Sequence, residues 1–214
     1  MAGKAQATVE RIGEAALTLL EKGGPEGVTM RRVASAAGIT PMAIYYHYPN
    51  REALLKSLTE HEFLKLRDAI EATGWRDLKV PFDRMSRMMR GYFLYALAHP
   101  RVYDYVFSRP RKDVRRFPQD FRARLSPALE LIAECVVEAM HCKALKTDDV
   151  WEVSLQLWAL AHGYVALYRA GRFALSEEAF LKLCGRALRR ILDGLAGTAG
   201  EAVLGAGGEV WLNE

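Results

Sequence analysis

The sequence predicts an all-α protein on three observations. Apolar residues recur at three- and four-residue steps along most of the chain, sustained period-2 alternation is absent, and capping residues punctuate the pattern at helix-length intervals. Of 214 residues, 50% are hydrophobic and 26% charged, enough to bury a core and to exclude global disorder. No internal repeat is visible.

The first helix is expected from about Ala5 to Lys22, with Val9, Ile12, Ala16, Leu19 and Leu20 facing inward. Gly23-Gly24-Pro25 ends it, because glycine tolerates the left-handed cap and proline cannot extend the helix. A short second helix (about 30–37) follows, with Thr29 as its N-cap and Gly38 as its stop. Thr40-Pro41 opens a third, about 41–47, with a capping hydroxyl ahead of proline at the first helical position. Asn50 caps a long fourth helix from Arg51 to about Ala72. The segment 82–98 is apolar around most of its circumference, so it belongs near the middle of a bundle. After His99-Pro100 comes a short helix near Val102 to Phe107. Pro127 starts another, to about His141. Thr147 or Asp148 caps the next, to Ala170, and Ser176 caps the last, to about Asp193. The Gly/Ala-rich tail from Gly194 reads as flexible, with Val210 and Trp211 as candidates for docking.

Thr29 to Tyr48 forms a unit: short helix, tight turn at Gly38-Ile39-Thr40, short helix. This is the helix-turn-helix arrangement. The second helix offers Ile44 and Tyr48 to the core and frees Pro41, Met42, Ala43, Tyr45, Tyr46 and His47 to enter a DNA major groove. Arg31, Arg32, Arg51 and Lys56 flank it, and the formal net charge of +4 fits a polyanionic partner without demanding one. Hydroxyls, imidazole and cations suit phosphates; Met42 and Ala43 suit thymine methyls.

The run Val28-Thr29-Met30-Arg31-Arg32-Val33-Ala34, Ala37-Gly38-Ile39-Thr40-Pro41-Met42-Ala43-Ile44-Tyr45-Tyr46-His47-Tyr48 and Asn50-Arg51-Glu52-Ala53-Leu54 closely resembles the DNA-binding domain of tetracycline-repressor-like (TetR) regulators. His99-Pro100 with Tyr103 and Phe107 resembles the middle of such regulators, and Leu157-Trp158-Ala159-Leu160-Ala161-His162-Gly163 resembles the Trp/His-Gly segment of one branch. The likeness covers about 7–193. It implies a homodimeric transcription regulator, usually a repressor, whose DNA-binding domain (1–50) reads a palindromic operator. The ligand-binding and dimerisation domain (51–193) would release that operator when a small molecule binds. Carried onto this chain, Thr29 and Arg31 contact phosphates and occasional bases. Thr40, Pro41, Met42 and Ala43 face bases, and Tyr45, Tyr46, His47 and Arg51 face phosphates. Pro41 and Met42 depart from the polar residues that hydrogen-bond bases in some members, so methyl contacts and DNA shape carry more of the readout.

For the regulatory domain, Met85, Met88, Met89, Tyr92, Phe93, Tyr95, Tyr103, Phe107, Trp158, His162 and Tyr168 are candidates to line a largely apolar effector pocket. Each taken alone reads more readily as ordinary core; for the group, the resemblance favours a pocket. Trp151, Leu155, Phe180, Leu183, Cys184, Ala187, Leu188 and Ile191, on the last two helices, are candidates for an isologous four-helix dimer contact, or else only close the protomer core. Two reading helices in successive grooves need a spacing of ~34–36 Å, which favours a dimer.

Other chemistries find little support. Cys135, Cys142 and Cys184 are too few and unpaired for a disulfide scaffold, so a reducing, cytoplasmic setting is expected. No signal peptide or membrane span is visible. Cys135, His141 and Cys142 lack a repeated ligand pair and a fourth ligand, so no metal or other cofactor is expected; redox sensing at Cys142 stays open. Residues 109–124 hold seven basic against two acidic residues and read as a solvated loop, or as an attractor for an anionic effector. No nucleotide-binding, zinc-protease or serine-hydrolase motif occurs, so no enzyme is expected. The alternatives are a helical sensor acting through a protein partner, or a helix-turn-helix regulator without an effector.

Overall fold

The structure is a computed structural model that describes residues 2–108 and 114–199. The described residues are helical apart from turns, loops and one isolated antiparallel bridge, Leu145 with Ala196. They form two compact units. Of the described residues, one contains 2–63, 99–108 and 114, the other 64–98 and 115–199. This differs from the division at residue 50 expected from the motif, because the first half of the fourth helix and the segment after His99 pack with the N-terminal helices.

In the first unit, α1 (Ala2–Gly27) is interrupted at Gly24, whose φ of 66° lies in the region that favours glycine. The expected stop is therefore a break, followed by a short turn through Pro25. Three further elements complete the unit with α1: α2 (Met30–Ala36), α3 (Pro41–His47) and the start of α4 (Arg51–Glu71). Their shared interior holds Ile12, Ala16, Leu20, Val28, Val33 and Ile44, each with no exposed surface. The later segment adds α6 (Pro100–Tyr103) and a π-helical turn (Asp104–Ser108), with α5 (Pro81–Ala98) preceding them in the chain. Arg101 explains part of this return: its guanidinium donates to the carbonyls of Glu21 (2.8 Å) and Lys22, two acceptors near the end of α1. His99 Nδ1 lies 3.2 Å from the Glu21 carboxylate.

In the second unit, α5 packs against α8 (Pro127–His141), α9 (Val150–Arg169) and α10 (Glu177–Leu195). A 3-10 turn (Trp75–Asp77) and α7 (Gln119–Arg122) are two short elements that the periodicity did not announce. Gly91 lets α5 approach the end of α4: a Cβ there would lie 2.8 Å from Thr73 Cγ2 and 3.3 Å from the Ile70 Cα. Asp149, not Thr147 or Asp148, caps α9. Its Oδ1 accepts from the amides of Trp151 (2.9 Å) and Glu152 (3.0 Å), while Arg122 holds its other oxygen at 2.7 Å. Arg76 joins α8 to the end of α4, donating to Glu71 (2.8 Å) and Glu134 (2.9 Å) with its guanidinium 4.2 Å over the Trp75 ring.

The tail does not leave the fold at Gly194. The Gly197 amide donates to Ala144 O (2.9 Å) and the Ala199 amide to Lys143 O (3.1 Å), so 196–199 lie along the α8–α9 loop. Only glycine fits at 197, since a Cβ would stand 2.4 Å from the Lys143 oxygen. Val210 and Trp211 lie outside the described residues.

Candidate nucleic-acid interface

Local chemistry shapes the reading head. Thr29 Oγ1 accepts from the Arg32 amide (3.3 Å) and Thr40 Oγ1 from the Ala43 amide (3.2 Å), capping α2 and α3. Gly38, with φ of 65°, makes the turn between them. Ile44 is wholly buried and Tyr48 nearly so, its hydroxyl 3.4 Å from Ser57 Oγ. These inward anchors leave the opposite side of α3 in solvent: Met42 is 80%, Tyr45 50% and Tyr46 87% exposed. Thr29, Arg31, Thr40 and Pro41 are exposed, while Ala43 and His47 are half-buried. The Tyr46 and His47 rings meet edge to face at 5.4 Å. Apolar side chains cost free energy in water, so such a display on a small, well-packed unit marks a contact surface.

Arg51 has a structural role beside the expected phosphate contact. Its Nε donates to Val28 O at 2.6 Å and its Nη2 to Pro25 O, so it clamps the start of α4 to the turn before α2. Exposed Arg31 and Arg32 are the cations at the edge of α2, and Arg32 belongs beside Arg31 in any electrostatic footprint. Asn50 caps α4, accepting from the Ala53 amide at 2.8 Å.

The effector candidates fall in both units. Tyr103 and Phe107 are in the first, their rings 4.9 Å apart, with Phe63 5.2 Å from Phe107. Met85, Met88, Met89, Tyr92, Phe93 and Tyr95 are buried on α5 in the second. Half-buried Trp158 and His162 meet on α9 with their rings tilted by 35° and their centroids 5.3 Å apart. Tyr168 lies 4.2 Å from Phe180, within an aromatic cluster that includes Phe93 and Phe173.

The dimer candidates divide. Phe180, Cys184, Ala187 and Leu188 are buried inside the protomer, so the strong stripe of α10 closes its own core; these four are corrected to interior residues. Trp151, Leu155, Leu183 and Ile191 remain half-buried. Ile191 lines an apolar groove of about 550 Å³ between α9 and α10, with Ala159, Leu160, Gly194 and Leu195. Trp151 lines another depression, of about 410 Å³, with Val137 and Val150.

Burial pushes the thiols of Cys135 and Cys184 up to about 12, whereas Cys142 is exposed. Among the described residues no group of three or more His, Cys, Asp or Glu side chains is placed to hold a metal ion. No helix there is long and apolar enough to cross a membrane. Of the basic stretch, the described Arg122 and Arg124 are paired with Asp149 and Glu130.

A family model described as the tetracyclin repressor-like C-terminal domain matches residues 85–195, and one for bacterial regulatory proteins of the tetR family matches 12–58. The chain belongs to the TetR family. This TetR-family chain is a DNA-binding transcriptional regulator; the 12–58 match holds α2 and α3, and the 85–195 match runs from within α5 to the end of α10. It is 26% identical to the transcriptional repressor KstR of Mycobacterium tuberculosis over 155 residues, 70% of each chain. Over 51 residues it is 43% identical to the class C tetracycline repressor protein of Escherichia coli, 24% of this chain and 23% of that one. In fold, the TetR-family chain is similar to the regulator FadR from Bacillus subtilis solved in complex with stearoyl-CoA. That likeness has a TM-score of 0.70 at 15% identity, covering 86% of this chain and 98% of that one.

Proposed function

We propose that this chain is a homodimeric repressor that reads a palindromic operator with α3 and releases it when a small, largely apolar molecule binds among the central helices. The exposed side of α3, capped at Thr40 and anchored by Ile44, is the observation that carries the DNA-reading role. Tyr45, Tyr46 and His47 supply phosphate partners, with Arg31 and Arg32 at the rim.

The dimer rests on α9 and its groove with α10. Between Glu152 and Arg169, α9 carries no formal charge, yet Ala159, Ala166 and Leu167 are exposed. A second copy is the occupant that would bury this face and present two α3 helices together. The effector reading rests on the methionine and aromatic content of α5. Coupling would run through α4, one unbroken helix whose first part belongs to the first unit and whose end belongs to the second. A modest ~1–3 kcal/mol is enough to change operator affinity ~5–150-fold.

Mapping bound genomic DNA, then measuring operator affinity at rising concentrations of molecules made or consumed by the neighbouring genes' products, tests the proposal. A specific site bound by a dimer and weakened by one such molecule is expected. Purified protein that binds every duplex equally, or that stays monomeric on its operator, would overturn it.

A further inference from the structure

The exposed side of α3 has a chemical asymmetry along its length. Tyr45, Tyr46 and His47 carry groups that hydrogen-bond. Pro41, Met42 and Ala43 carry none of comparable strength, and the Thr40 oxygen ahead of them is already engaged as the cap of the Ala43 amide. Met42 nonetheless stands 80% exposed, in the middle of the surface offered to the groove.

An apolar side chain pressed against a base edge strips water from that edge. Opposite a guanine oxygen, an adenine or cytosine amino group, or any ring nitrogen, the stripped group loses a hydrogen bond and receives nothing back. One feature of the major groove escapes this penalty, the C5-methyl group of thymine, which is itself apolar. A thioether on a flexible, unbranched stem can follow such a methyl to van der Waals distance.

We propose that Met42, with Ala43 beside it, reads thymine 5-methyl groups in the operator. Sequence preference at those steps is then a preference for a methyl rather than for a hydrogen-bonding pattern. This inference rests on α3 being the helix that reads DNA. It goes further in naming the chemical group that is read, and it makes 5-methylcytosine an acceptable substitute where unmethylated cytosine is refused.

The test uses the full chain and a duplex selected by it from random-sequence DNA. Each thymine of the selected site is replaced singly by deoxyuridine, which removes the methyl and leaves the hydrogen-bonding edge unchanged. One or two positions per half-site are expected to lose about fourfold in affinity, the worth of one buried methyl, while the other thymines tolerate the change. At the sensitive positions 5-methylcytosine should bind more tightly than cytosine by a similar factor. Met42→Ala, at a site this exposed, leaves the fold intact and should bind the thymine and uracil duplexes equally. A selected site that is bound tightly but indifferent to every uracil replacement sinks the methyl reading and leaves DNA binding standing. Uracil sensitivity that survives in Met42→Ala removes the assignment to Met42. Failure to select any duplex would overturn the DNA-reading role of α3 itself.

Discussion

Arg51 and Tyr46 lie five positions apart and do opposite work. Removing Arg51 leaves the Val28 carbonyl without its donor and takes one of two donors from the Pro25 carbonyl, which also accepts from the Val28 amide at 3.0 Å. Arg51→Ala should therefore lower the melting temperature, by a loss of about 1–3 kcal/mol. The slope of log affinity against log salt should stay unchanged where the protein is still folded. Arg31→Ala should do the reverse, reducing that slope by about 1 while leaving the melting temperature within error. At 87% exposure, Tyr46→Ala should cost under about 0.5 kcal/mol of stability yet weaken binding to all duplexes alike. The contrast explains why the backbone clamp made by Arg51 was not legible in the sequence. A guanidinium beside a helix-turn-helix looks the same whether it points at phosphate or back at the chain, and backbone carbonyls leave no trace in residue identity. Tyr46 was legible because its neighbours Ile44 and Tyr48 fix which side of a short helix faces inward.

Helices show the same division between what periodicity encodes and what packing decides. The caps Thr29, Thr40 and Ser176 were readable because a side-chain oxygen before an apolar run has one local use; Ser176 accepts from the Ala179 amide at 3.2 Å. At the start of α9 three adjacent candidates compete, and Arg122, distant in sequence, engages Asp149. The stripe of α10 announced a buried face correctly but not the body that buries it. Phe93 and Tyr168 of the same protomer, not a second copy, surround Phe180. The α4–α5 approach at Gly91 left only a glycine as its signal, since the partner atoms belong to Ile70 and Thr73. Gly91→Ala should destabilise the protein by about 1–3 kcal/mol, seen as a lower denaturation midpoint, because the Ile70 backbone cannot move aside as a side chain can. A variant with unchanged stability would mean the two helices separate at little cost.

At the scale of the whole molecule, the thiols report how tightly the second unit, which holds all three, is closed. Cys142 alone should be alkylated in the native state, with Cys135 and Cys184 labelled only on unfolding; mass spectrometry of the modified peptides checks this. The two buried thiols rise from an ordinary 9.0 to about 12 on folding. Their contribution to stability is thus complete below pH 9 and is lost as pH climbs toward 12, so alkaline melts should show a falling midpoint across that window. Glu71 works at the other end. The Arg76 hydrogen bond holds its carboxyl below the ordinary 4.5, so the stability it supplies persists above that pH and disappears as acid protonates it.

The stitch between residues 196–199 and the loop before α9 bears on where this chain can be shortened. Its tethers are the amides of Gly197 and Ala199, which donate to the carbonyls of Ala144 and Lys143. A truncation ending at Leu195 discards both of those tethers, while one ending at Ala199 keeps them and is the safer boundary for a shortened protein.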